Sequence, residues 1–95
     1  MAQVARPVSD HAELLLGLCS DAWARLPDSE ATIDEWDLID QIVFIEEWPL
    51  EEERLRVLEQ YAKDGTLTPE QLDRYDELKR VVEVNRPIIR RLQQT

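Results

Sequence analysis

Two glycines, Gly17 and Gly65, are all that this 95-residue chain offers for tight turns. A small β-sheet protein needs several hairpin positions with left-handed backbone, and glycine fills most of them. Their scarcity points away from an all-β fold and towards helices joined by a few corners. The length allows one domain with a modest core, so a partner or an oligomer is expected to add stability.

Capping chemistry and apolar spacing mark out the helices. Ser9 or Asp10 reads as an N-cap, with Glu13 completing a capping box. Leu15, Leu18, Cys19, Ala22, Trp23 and Leu26 follow at helical spacing. Pro27 ends this helix, because the residue before a proline avoids the α region. The stretch "PDSEAT" reads as a turn. Thr32 with Glu35 opens a second helix, "IDEWDLIDQIVFIEEW". Its apolar residues (Ile33, Trp36, Leu38, Ile39, Ile42, Val43, Phe44, Ile45, Trp48) cover more than one face, which predicts a central helix or one that meets two partners. "QIVFI" also has strand character, so residues 41–45 stay open between helix and strand.

Pro49 suits the first turn of a third helix, where its missing N–H costs nothing. Leu50, Val57, Leu58 and Tyr61 form that helix's stripe, with Leu55 and Ala62 beside it. Next comes "DGTLT", which looks like the middle of a calcium-binding EF-hand loop. With Gly65 at the sixth position of such a loop, Gln60, Ala62 and Gln71 fall where carboxylates are required. Helix capping accounts for the same residues. Gly65 is a left-handed C-cap, Thr68 an N-cap, Pro69 the first helical residue and Gln71 the partner in a capping box. Leu72, Tyr75, Leu78, Val82, Ile89 and Leu92 then predict a fourth helix that Pro87 kinks or breaks. The expected fold is therefore all-α: a small bundle of about four helices, with helices three and four as an antiparallel hairpin and the last helix kinked at Pro87. Residues 1–8 read as a flexible N-terminal arm and residues 9–95 as a single helical domain.

Little in the sequence suggests catalysis. The single histidine, His11, and the single cysteine, Cys19, are about two helical turns (~12 Å) apart if on one helix, too far for a nucleophile–base pair. No Glu-x-x-His motif precedes His11, no glycine-rich loop could cradle phosphate, and no carboxylate spacing selects a metal. The chain reads as a non-enzyme without cofactor or metal. "LLLGLC" resembles a lipoprotein box, but Leu18 stands where a small residue belongs, and Asp10 and Glu13 spoil a basic leader. One cysteine excludes a disulfide within the chain, and no apolar run has membrane-spanning length. A cytoplasmic location is expected.

Charge is the unusual feature. Residues 26–53 contain no lysine or arginine and eleven acids: Asp28, Glu30, Asp34, Glu35, Asp37, Asp40, Glu46, Glu47, Glu51, Glu52 and Glu53. This stretch carries −11 and the whole chain −10, so the acidity is local. Like charges three or four apart on a helix cost about 0.2–0.5 kcal/mol per pair, which a scattering of lysines would remove. The acids read either as a solvated face or as a surface for a basic partner. Direct nucleic-acid binding is disfavoured, because phosphate contacts need lysine and arginine.

Two functions follow. In the first, Asp34, Glu35, Trp36, Asp37, Asp40, Glu46, Glu47 and Trp48 bind a protein with a basic surface, as an inhibitor or antitoxin-like partner of a nuclease would. Trp36 and Trp48 are interface anchors in that reading and core residues otherwise. In the second, the chain is a homodimeric bundle whose acidic second helix meets the basic tail (Arg86, Arg90, Arg91) of another copy.

Overall fold

Proline sets the first corner. Helix α1 (Ala2–Ala24) stops just before it, and Pro27 lies in the first turn of a short helix, α2 (Leu26–Thr32). A single 3₁₀ turn (Ile33–Glu35) follows, then α3 (Leu38–Lys63) and α4 (Pro69–Gln93). The computed structural model describes residues 2–94, with side chains for residues 8–94. Among these the fold is all-α, without a strand, so residues 41–45 are helical. The arm read over residues 1–8 lies, Val8 aside, outside the described side chains. No helix of the described residues is long and apolar enough to cross a membrane.

The architecture is three long helices with one short one, not the expected set of four. "PDSEAT" is helical, and the second and third expected helices are a single element, α3. Thr32 caps no long helix. Its Oγ1 donates back to the Asp28 carbonyl at 3.1 Å and accepts from Trp36 Nε1 at 3.2 Å. Trp36 itself is extended (φ −80°, ψ 155°), and with Asp37 it separates the 3₁₀ turn from α3. Pro49 then sits inside α3. It removes one backbone N–H, but the flanking Trp48 is 3% exposed and anchored in the core, so packing carries the helix through. α4 likewise runs through Pro87 as one helix. Glu83, whose carbonyl loses its donor, lies on the exposed side with Pro87, where water can replace the bond.

Side-chain pairs fix the topology. Gln71 Nε2 donates to the Ser9 carbonyl at 3.2 Å, Arg74 pairs with Glu13, and Asn85 Nδ2 donates to the Trp23 carbonyl at 2.9 Å. Numbering rises together on both helices, so α1 and α4 are parallel. His11 meets Tyr61 and Trp23 meets Trp48, so α3 runs antiparallel to α1. α4 packs chiefly on α1 and much less on α3. The close pairing of the last two helices read from the sequence is thus the weaker contact of the bundle. Between them lies an open groove of about 500 Å³, floored by Tyr75 and Val82 and edged by Glu59, Lys79 and Arg86.

α4 supplies the most regular core face: Gln71, Tyr75, Leu78, Val82, Asn85, Ile89 and Leu92, at alternating spacings of four and three. This is a heptad seam with two polar residues in it. α1 contributes Ala12, Leu15, Leu16, Cys19 and Trp23. Leu18, Leu50 and Leu72, expected in the stripes, are instead exposed. At the corner before α4, Gly65 has φ +74°, and the Thr68–Gln71 capping box is complete. The box read at Asp10–Glu13 does not form. α1 passes through it, and the Glu13 carboxylate accepts from Arg74 instead.

Candidate protein-binding face

The end of α1 decides which part of α3 is left uncovered. Trp23 stacks edge-to-face on Trp48 (centroids 4.9 Å apart), and α1 ends one residue later. The α3 residues before Trp48 therefore run past the end of α1. α2 folds towards α4 instead, where Arg91 grips the Glu30 carboxylate with two bonds of 2.8 Å. Trp36, just after the 3₁₀ turn, covers one side of the projecting segment by packing edge-to-face on Phe44 (5.5 Å). The other side stays open. Leu38 is 70% exposed, Ile39 73%, Ile42 44% and Val43 44%. The broad apolar circumference is real, but this half of α3 projects from the bundle rather than lying at its centre.

Six acids share this stretch of chain with the four aliphatics. Asp34 and Glu35 lie on the 3₁₀ turn, Asp37 at the N-cap of α3, Asp40 in its first turn, and Glu46 and Glu47 further along; all are exposed. None forms an ion pair with a described side chain. Of the eleven acids of residues 26–53, those that do pair are Glu30, Glu51, Glu52 and Glu53, with Arg91, Arg54, Arg86 and Arg56. The local charge is thus neutralised towards the bundle and left bare around the projecting segment. Because Trp36 is extended, Asp34 and Asp37 do not share a helix. Asp37 and Asp40 begin α3, where the helix dipole favours both.

The remaining expected site residues divide between face and core. Trp36 is half-buried at the edge of the face. Trp48 belongs to the core. Arg86 is committed within the chain: its guanidinium lies 5.1 Å from the centre of the Trp23 ring and bonds Glu52 at 2.9 and 3.0 Å. Arg91 is committed to Glu30, and Arg90 is exposed. Leu38, Ile39, Ile42 and Val43 were legible as apolar but not as exposed.

Cys19 and His11 lie apart from this face. Cys19 is fully buried, and burial pushes its thiol up to about 11, with Glu51 adding to the shift and Arg54 opposing it. A thiol so held is a core group, not a nucleophile. His11 Nδ1 is 2.7 Å from the Tyr61 hydroxyl. No group of three His, Cys, Asp or Glu side chains suited to a metal occurs among the described residues. No protein-family model, curated protein or solved structure matches the chain.

Proposed function

We propose that the chain is a non-catalytic, cytoplasmic protein-binding module, and that the projecting half of α3 is its binding face. The observation that carries this reading is the exposed cluster Leu38, Ile39, Ile42 and Val43 within a rim of unpaired acids. An apolar centre with a polar rim is the usual anatomy of a protein interface, and contiguous exposed apolar patches mark such sites. The rim gives the partner's chemistry: apolar at its centre and basic around it. Steering by the acids makes association fast and salt-sensitive. A basic nuclease held by an inhibitor or antitoxin-like chain is one partner of this kind.

The charge argues for a different protein, not a second copy, as the occupant. Two copies meeting through this face would bring two uncompensated acidic rims together. Most of the basic tail is already committed, since Arg86 and Arg91 hold Glu52 and Glu30 in their own chain and only Arg90 is left exposed without an ion pair among the described side chains. Affinity capture from the source lysate with wild-type and Asp37→Lys/Asp40→Lys baits tests the reading. A basic protein held by the wild type and lost from the reversal variant is expected. An identical catch on both baits would exclude the acidic rim from binding.

A further inference from the structure

The groove between α3 and α4 is edged by two charges that the chain does not pair. Glu83 and Arg90 both line it and are both exposed, and neither forms an ion pair with a described side chain. The other charges on the groove are taken: Arg86 by Glu52, Lys79 by Asp76 and Glu59 by Lys63. Glu83 has a second unmet group. Pro87, four residues on, has no N–H to give to the Glu83 carbonyl. Seven residues are close to two helical turns, so Glu83 and Arg90 share one face of α4 and stand about 10 Å apart along it.

A helix with an unmet acid and an unmet base on one face is complementary to a second copy of itself laid antiparallel. A twofold axis between Arg86 and Pro87 sets each Glu83 opposite Arg90 of the other copy, and one symmetric contact satisfies all four charges. The same register sets Lys79 opposite Gln94 and Arg80 opposite Gln93, so like charges do not face one another. The exposed ring of Pro87 falls at the axis, with the half-buried Leu55 across the groove as further apolar contact. From Lys79 onward α4 carries five basic residues against one acid, Glu83. A second α4 in the groove brings this basic half against Glu52 and Glu59 on the α3 edge. α4 packs much less on α3 than on α1, and the groove of about 500 Å³ stands open between them.

We infer that the chain forms a twofold dimer through this groove. α4 of each copy lies antiparallel to α4 of the other, and Arg90 of one donates to the carboxylate and the free carbonyl of Glu83 of the other. A guanidinium has enough donors in a planar fork for both acceptors. The two α3 and two α4 helices then close a four-helix core, which adds buried surface to a chain too short for a large core of its own. The acid that Arg90 meets is Glu83 of α4, not an acid of the projecting segment. This inference does not depend on the basic partner proposed above.

Sedimentation equilibrium of the purified whole chain, from micromolar to sub-millimolar concentration, tests it with two charge reversals. The wild type should show a monomer–dimer equilibrium. Glu83→Arg and Arg90→Glu each turn two attractive contacts of the symmetric dimer into two repulsive ones, so each alone should weaken the dimer about tenfold or more. Mixed in equal amounts, the two variants should form a heterodimer close to wild-type affinity, because each then supplies the charge that the other lacks. The double variant Glu83→Arg/Arg90→Glu should likewise dimerise with itself. Recovery on mixing shows that both variants are folded. A wild type that stays monomeric across the range, a dimer that neither reversal weakens, or single variants that stay monomeric when mixed would each overturn the inference.

Discussion

Asn85 Nδ2 donates to the main-chain carbonyl of Trp23 at 2.9 Å, with Asn85 8% exposed and Trp23 fully buried. Trp23 lies one residue from the end of α1, so its carbonyl is among the last four that the helix cannot satisfy itself. The amide of α4 caps it from inside the core. The bond also fixes the register between two parallel helices, as a single polar residue in an apolar heptad seam can do. Asn85→Ala leaves that carbonyl unpaired and should cost about 1–3 kcal/mol, read as a lower urea midpoint at unchanged slope. A loss below about 0.5 kcal/mol would show that water replaces the amide and that the bond does not hold the register.

The two glycines should respond to alanine with opposite signs. Gly17 is an exposed residue within α1, and a Cβ there meets nothing within 4 Å. Gly17→Ala should therefore stabilise by about 0.5–1 kcal/mol. A Cβ at Gly65 also meets nothing, but the backbone φ is +74°. Gly65→Ala should destabilise by about 1–2 kcal/mol through backbone strain alone, and Gly65→Asn by less. Thermal midpoints of the three variants check this, and a shared sign for the two alanines would contradict it.

Acid should loosen α4 from the first half of the chain. Hydrogen bonds from Arg74 hold the Glu13 carboxyl below its ordinary value of about 4.5, and those from Arg91 do the same for Glu30. A carboxyl depressed in the folded state adds stability above its unfolded value, and that stability is lost as pH falls through the folded value. Both pairs are solvent-screened, so the effect is modest. The wild type should be more stable than Glu13→Gln/Glu30→Gln at neutral pH, and the two should converge below about pH 4. A constant difference across that range would mean that the pairs contribute packing and not charge.

The sequence carried the local decisions well. The Thr68–Gln71 box and the left-handed Gly65 each depend on residues within a few positions of one another, and each formed; α1 also stops before Pro27, at Ala24, although Leu26, next to the proline, is itself helical in α2. Pro49 was misread because a proline opening a new helix and a proline inside a continuing one look alike locally. The choice falls to Trp48, which reaches Trp23 across the bundle. The exposure of Leu38, Ile39, Ile42 and Val43 was hidden for a similar reason. A helix apolar around most of its circumference is buried or projecting according to where its neighbour ends, and α1 ends beside Trp48. Asn85 and Gln71 were legible in principle, since both fall on the heptad that runs through Tyr75 and Ile89. Their polarity masked that placement.

The central claim is that the aliphatic cluster of α3, within its acidic rim, binds a protein of opposite charge. Ile39→Asp/Ile42→Asp alters that cluster at exposed positions and should leave the thermal midpoint within a few degrees of the wild type. The most direct measurement is parallel affinity capture from the source lysate with wild-type and Ile39→Asp/Ile42→Asp baits, at moderate and high salt, with the recovered proteins quantified by mass spectrometry. The account predicts one basic protein in near-equal amount on the wild type, reduced by salt and absent from the folded variant. The same proteins in the same amounts on both baits would contradict it.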